Sequence, residues 1–110
     1  MPEVRLALLQ KLTALVMLPL VAGHIAVMIY AVQGGLTAAE ILGRTQGSLA
    51  WALFYGLFAV AVSIHAAIGL RAVLHETLAL GGRALAAVTW LIFLGLLALG
   101  LRAVWAVTAA

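Results

Sequence analysis

Three long apolar segments constrain this chain more than any other feature of its sequence. Each is longer than the roughly 20 residues that a helix needs to cross the hydrocarbon core of a bilayer. The chain of 110 residues is 67% hydrophobic and 8% charged, which is more apolar surface than a small soluble domain can bury. The sequence therefore predicts an all-α integral membrane protein. It forms a single domain over residues 1–110, with transmembrane helices at about 6–32, 49–75 and 84–107.

The segments between these helices indicate how the chain lies at the membrane surface. Thr37 and Glu40 form a capping box for a short interfacial helix predicted at about residues 38–44. Four basic residues on one side, against two on the other, favour a cytoplasmic N-terminus. They are Arg5, Lys11, Arg71 and Arg83 against Arg44 and Arg102. The basic residues are scattered, so nucleic acid is not an expected partner, and the absence of cysteine excludes thiolate sites within the chain.

His65 lies in the middle of the second apolar segment and is the first candidate for a functional site. An imidazole inside a bilayer is costly, so an ionisable residue there is a functional hypothesis by default. One helix face around it, defined by three- and four-residue spacing, carries little bulk: Ala61, His65, Gly69, Ala72 and Glu76. Neutral imidazole binds haem iron, and the guanidinium of Arg71 can pair with a propionate. The sequence predicts a haem-binding face, with a hydrogen bond between helices as the alternative for His65.

His24 and His75 are the other histidines of the chain. His24 lies inside the first helix and is a candidate ligand of a second haem, again with an interhelical hydrogen bond as the alternative. Counted from the cytoplasmic flanks, His24 and His65 differ in depth by roughly 10 Å, which is too far for one shared iron. The spacing predicts two haems at different depths, each with its second ligand from another chain. His75 lies near the membrane–water interface, where an imidazole stays hydrated, so its presence there needs no functional explanation.

The run from His65 to Arg71, His-Ala-Ala-Ile-Gly-Leu-Arg, resembles a motif of the membrane-anchor subunits of succinate dehydrogenase and fumarate reductase (respiratory complex II). Those anchors have three helices, and the histidine of a His-x-x-x-Gly pattern on the second helix ligates haem b. The likeness covers most of the chain. It implies that His65 is an axial ligand of an inner haem b, and that His24 lies where some members hold an outer haem b.

The resemblance also implies partners and a location. The partners are a second membrane-anchor subunit, an iron–sulfur subunit and a flavoprotein that oxidises succinate or reduces fumarate, with quinone as the substrate near the cytoplasmic face of a bacterial inner membrane. His75 is then a candidate contact of a propionate or of quinone, and Glu76 of quinone. The family often has Asp-Tyr after the motif, where this chain has Glu76-Thr77. The residues at 18–23 also depart from the family's quinone-binding segment, so we expect the partners to build most of the quinone site.

On this interpretation the chain is a non-catalytic subunit that anchors the complex, ligates haem and helps to form the quinone site. A cofactor-free structural anchor, in which the histidines only tie helices together, is one alternative. A small transporter subunit is another. Transport of protons or cations usually needs a carboxylate within the membrane, whereas Glu3, Glu40 and Glu76 all lie at or beyond the predicted interfaces.

Overall fold

The computed structural model describes residues 3–109 and contains three long helices and one short helix. The helices are α1 (Glu3–Gly34), α2 (Ala38–Thr45), α3 (Leu49–Leu78) and α4 (Gly82–Thr108). The three long helices are long and apolar enough to cross a membrane. The prediction of an all-α protein with three spans and a short additional helix is confirmed, and the chain is a multi-pass membrane protein.

Capping side chains fix where α2 and α3 begin. The Thr37 hydroxyl accepts a hydrogen bond from the Glu40 N–H at 3.2 Å and donates one to the Glu40 carboxylate at 2.7 Å. The Ser48 hydroxyl accepts from the Trp51 N–H at 3.3 Å. Both residues satisfy an N–H that has no partner within the helix, which is why the sequence predicted these two starts correctly.

α3 is the central helix of the bundle. It packs against both α1 and α4, whereas α1 and α4 share few contacts. The α3–α4 approach is close at Gly100, where an added Cβ would lie 3.0 Å from the Cβ of Ala59. Small residues allow such close approach in lipid. Because α1 and α4 pack on different sides of α3, a gap is left between them.

The segment from α2 to α3 binds the last turn of α4. The Thr45 hydroxyl donates to the Val107 carbonyl at 2.6 Å, and the Gly47 N–H donates to the Thr108 carbonyl at 2.8 Å. The last carbonyls of a helix have no partner within it. Two of these carbonyls in α4 therefore accept hydrogen bonds from residues some sixty positions earlier in the chain.

Candidate functional site

His65 of α3 faces α1 and forms a hydrogen bond across the helix interface. Its Nδ1 lies 3.2 Å from the hydroxyl oxygen of Thr13, a residue that is 6% exposed. The same oxygen lies 2.9 Å from the Leu9 carbonyl and 3.0 Å from the Gln10 carbonyl, in the preceding turn of α1. The interhelical hydrogen bond that was the alternative for His65 is therefore present.

The Thr13 hydroxyl decides which ring nitrogen of His65 carries the proton. A hydroxyl has a single hydrogen, and a threonine within a helix commonly donates it to a carbonyl of the preceding turn. The Thr13 oxygen then accepts from His65, so we assign the proton to Nδ1. Nε2 keeps its lone pair, makes no hydrogen bond within residues 3–109 and is not a fully buried atom. A ligating histidine is typically held in this way, with its other N–H donated to a fixed acceptor.

The face of α3 around His65 is partly covered by α1. A Cβ added to Gly69 would lie 3.6 Å from Nε2 of Gln10, so the Gln10 side chain lies where the sequence predicted open space. Ala61 is also buried, at 4% exposure, whereas Ala72 and Glu76 are exposed. A flat group seated at Gly69 would have to displace Gln10.

Gln10 is itself in an unfavourable position. Its Oε1 is buried and has no hydrogen-bond partner among the described residues. A buried polar group without a partner destabilises the folded state. Displacing this side chain toward water or toward another subunit would therefore break no hydrogen bond of the amide oxygen, and the cover over Gly69 is weakly held.

His24 of α1 lies among aromatic rings nearer the other end of the bundle. The ring makes edge contacts with Phe58 at 5.4 Å and Tyr55 at 6.1 Å between centroids. It borders a cavity of about 380 Å³ that residues from all four helices line, including Thr45 and Val104. Its Nδ1 is buried and has no hydrogen-bond partner in the described part of the chain. His24 therefore lacks the fixed acceptor that His65 has.

The two histidines lie at clearly different depths. Thr13, which is level with His65, precedes His24 by eleven residues of α1, or about 16 Å along the axis. Phe58, which is level with His24, precedes His65 by seven residues of α3, or about 10 Å. Two nitrogens on one iron lie on the order of 4 Å apart, if the metal–nitrogen distance of zinc is a guide. His24 and His65 therefore do not meet at one iron within this chain.

Arg71 lines a groove on the open side of α3, between α1 and α4. The groove has a volume of about 660 Å³, and Arg83 at the start of α4 lines it too. His65 is not among its lining residues. Six residues separate His65 from Arg71, so their side chains leave α3 about 120° apart. The structure thus places Arg71 on one groove with Arg83 and on a different side of α3 from His65.

His75 and Glu76 lie at the end of α3 and are exposed. His75 donates from Nδ1 to the Leu80 carbonyl at 2.9 Å, which ties the last turn of α3 to the connection before α4. α3 ends there because Ala79 adopts a left-handed conformation with φ of 54°. His75 thus has a structural contact, and the roles of both residues toward a propionate or quinone stay predictions.

Comparisons with known proteins do not assign the chain to a family. No protein-family model, curated protein or solved structure matches it. Within residues 3–109, no three histidine, aspartate or glutamate side chains come together as metal ligands. A haem iron needs fewer, because the porphyrin supplies four of its ligands. What the site offers chemically is an imidazole whose Nδ1 is fixed by Thr13 and whose Nε2 makes no hydrogen bond within the described residues.

Two residues of this site were missed by the sequence reasoning, namely Gln10 and Thr13. They are polar residues three apart, on one face of the first apolar segment. Polar side chains within membrane spans usually face the interior of the bundle and bond across helices. That pattern marks this face of α1 as the one that packs against α3.

Proposed function

We propose that the chain is a haem-b-binding membrane-anchor subunit of a succinate:quinone oxidoreductase. The observation that carries the proposal is the His65 ring, whose Nδ1 is held by the buried Thr13 hydroxyl while Nε2 makes no hydrogen bond within residues 3–109 and can bind iron. The resemblance of the run from His65 to Arg71 to the family's motif supports the same conclusion. The chain itself is non-catalytic and lies in a bacterial inner membrane, with its N-terminus in the cytoplasm.

Each residue near His65 has a definite task in this proposal. His65 would hold the haem iron through a ring nitrogen, and Thr13 would fix the ring orientation and tautomer, as an outer-shell partner of a ligating histidine does. Any second protein ligand of this iron would come from the partner anchor subunit, because His24 lies about 10 to 16 Å away in depth. Haem, when bound, supplies a one-electron carrier between the iron–sulfur subunit and quinone. The apolar side chains around the site keep water away from it.

His24 is the proposed ligand of an additional, outer haem, with less support. A ligating histidine ordinarily donates its other ring N–H to an acceptor. The Nδ1 of His24 has none among residues 3–109, so the ring would have to turn before it could serve as His65 does. The inner haem at His65 is therefore the core of the proposal, and the outer haem is an extension of it.

The test is a purification of the intact complex from its native membrane in mild detergent. A reduced-minus-oxidised absorbance spectrum should show a b-type haem, and a flavoprotein and an iron–sulfur protein should co-purify with the chain. His65→Ala should remove the inner haem signal. Leu53→Ala is the control, since Leu53 is an exposed residue of α3 with no role in the proposed site, and it should leave the haem content unchanged.

The outcomes separate the alternatives. If flavoprotein co-purifies without any haem, the chain is a cofactor-free anchor, and if neither is found the proposal is wrong. If His24→Ala leaves the haem content unchanged, only the proposal of an outer haem is wrong. Because failed assembly would also abolish haem binding, Thr13→Val serves as a milder variant. It should leave the complex assembled and lower haem affinity by about 10- to 100-fold.

A further inference from the structure

The groove between α1 and α4 is apolar along most of its length and cationic at one end. Its apolar lining comes from all three long helices: Leu6, Leu9, Ile64, Ile68, Trp90 and Phe93. The cationic end carries Arg71 and Arg83, beside the start of α4 at Gly82. This distribution is that of a site for an amphipathic molecule with an anionic head.

The depth of the groove matches one leaflet of a bilayer. Arg83 and Phe93 lie ten residues apart on α4, which is about 15 Å along the helix. Half of a typical hydrocarbon core is also about 15 Å. Arg71 lies seven residues before the end of α3, and its long side chain can extend toward the headgroups while its stem stays on apolar surface. The groove thus runs from the headgroup level to about the middle of the membrane.

Arg71 and Arg83 make no side-chain hydrogen bond among residues 3–109, although the carboxylates of Glu3 and Glu76 lie at the same end of the bundle. In the described part of the chain, the arginine side chain that does donate a hydrogen bond is that of Arg44, which bonds to the Gly35 carbonyl at 2.8 Å. Glu40 is bonded to Thr37 at the other end of the bundle. The first turn of α4 also lacks a side-chain cap, so its N–H groups add partial positive charge beside Arg83.

We propose that this groove binds an anionic phospholipid of the adjacent leaflet, with the phosphate between Arg71 and Arg83 and an acyl chain along the apolar lining. Guanidinium groups are opposite in charge to a phosphate and can donate paired hydrogen bonds to its oxygens. A neutral quinone would leave both charges unexplained. A haem would need a protein ligand for its iron, and no histidine among residues 3–109 lines the groove. The inference does not depend on the proposed function.

The test is native mass spectrometry of the full chain titrated with phosphatidylglycerol or with phosphatidylcholine of identical acyl chains. Phosphatidylglycerol should bind preferentially. Arg71→Gln/Arg83→Gln should reduce its affinity on the order of thirty-fold, because each basic residue near the membrane surface contributes about five-fold. Lys11→Gln/Arg102→Gln removes the same charge at two exposed positions outside the groove and should keep most of the preference.

A second pair of variants tests the acyl-chain part of the groove. Ala86 lines it, so Ala86→Phe should fill it and lower the binding of both lipids by several-fold. Ala87→Phe, at an exposed position outside it, should not. Circular dichroism checks that each variant keeps its helices.

Three results would overturn the inference. The first is equal binding of the two lipids by the wild-type chain. The second is an equal loss of preference in both double variants, which would indicate general charge attraction. The third is loss of the preference in His65→Ala, which would mean that the arginines serve the histidine site. Two results would support both proposals independently: the isolated His65→Ala chain keeps its lipid preference, and the intact complex with His65→Ala loses haem.

Discussion

Replacing Thr13 with valine isolates the hydrogen bond that orients His65. Valine has nearly the same shape as threonine, so the substitution removes the hydroxyl without opening a cavity. The Leu9 carbonyl, which the hydroxyl also contacts at 2.9 Å, keeps its backbone partner because residue 13 retains its N–H. The main change is that the Nδ1–H of His65 loses its acceptor.

The size of the effect follows from the environment of the pair. Hydrogen bonds between membrane helices contribute about 0.6 kcal/mol on average and up to about 1.7 kcal/mol. Thr13 is buried, so water does not readily replace its hydroxyl, and a donor left without an acceptor costs about 1 to 3 kcal/mol. We expect Thr13→Val to lower the free energy of unfolding by about 1 kcal/mol.

The assay is unfolding of the full chain in mixed micelles with increasing sodium dodecyl sulfate, followed by circular dichroism. Thr13→Ser keeps the hydroxyl and is the control. A double-mutant cycle with His65→Leu isolates the coupling between the two side chains, which should clearly exceed the roughly 0.3–0.5 kcal/mol expected of independent sites. Coupling within that range, with Thr13→Val as stable as Thr13→Ser, would refute the bond and with it the assignment of the His65 proton.

Two further predictions concern packing around α3. Gln10→Leu should raise the free energy of unfolding by about 1 kcal/mol, because it removes a buried oxygen that has no partner; a lower stability in the same assay would show that the amide has a partner in the folded protein. Gly100→Leu should lower the free energy of unfolding by about 1 to 3 kcal/mol, because the larger side chain would overpack against Ala59. Gly95→Leu is its control, since an added Cβ there meets nothing within 4 Å, and equal losses at both positions would contradict the packing argument.

The helices could be predicted from sequence because their causes are local. Apolar length defines the three spans, and the side chains of Thr37 and Ser48 mark two starts through bonds within three residues of themselves. His65 could be singled out for a related reason, since an imidazole in an apolar segment is conspicuous in the sequence alone.

The surroundings of His65 could not be predicted in the same way, because they depend on how α1 lies against α3. The bond to Thr13 and the cover of Gly69 by Gln10 join residues more than fifty positions apart. The position of Arg71 is a different case. Its rotation of about 120° from His65 follows from the helical repeat, and its pairing with a haem propionate stays a prediction.

The bonds between the α2–α3 segment and the end of α4 impose an order on biosynthesis. Thr45 and Gly47 leave the ribosome long before the carbonyls of Val107 and Thr108 that they bind. These contacts can form only after α4 has been inserted and has brought its end to the same side of the membrane as α2. Docking of α2 on α4 therefore follows the insertion of α4. In a chain arrested before α4, the Gly47 N–H lacks its Thr108 partner, whereas the Thr45 hydroxyl still has the Ile41 carbonyl 3.1 Å away.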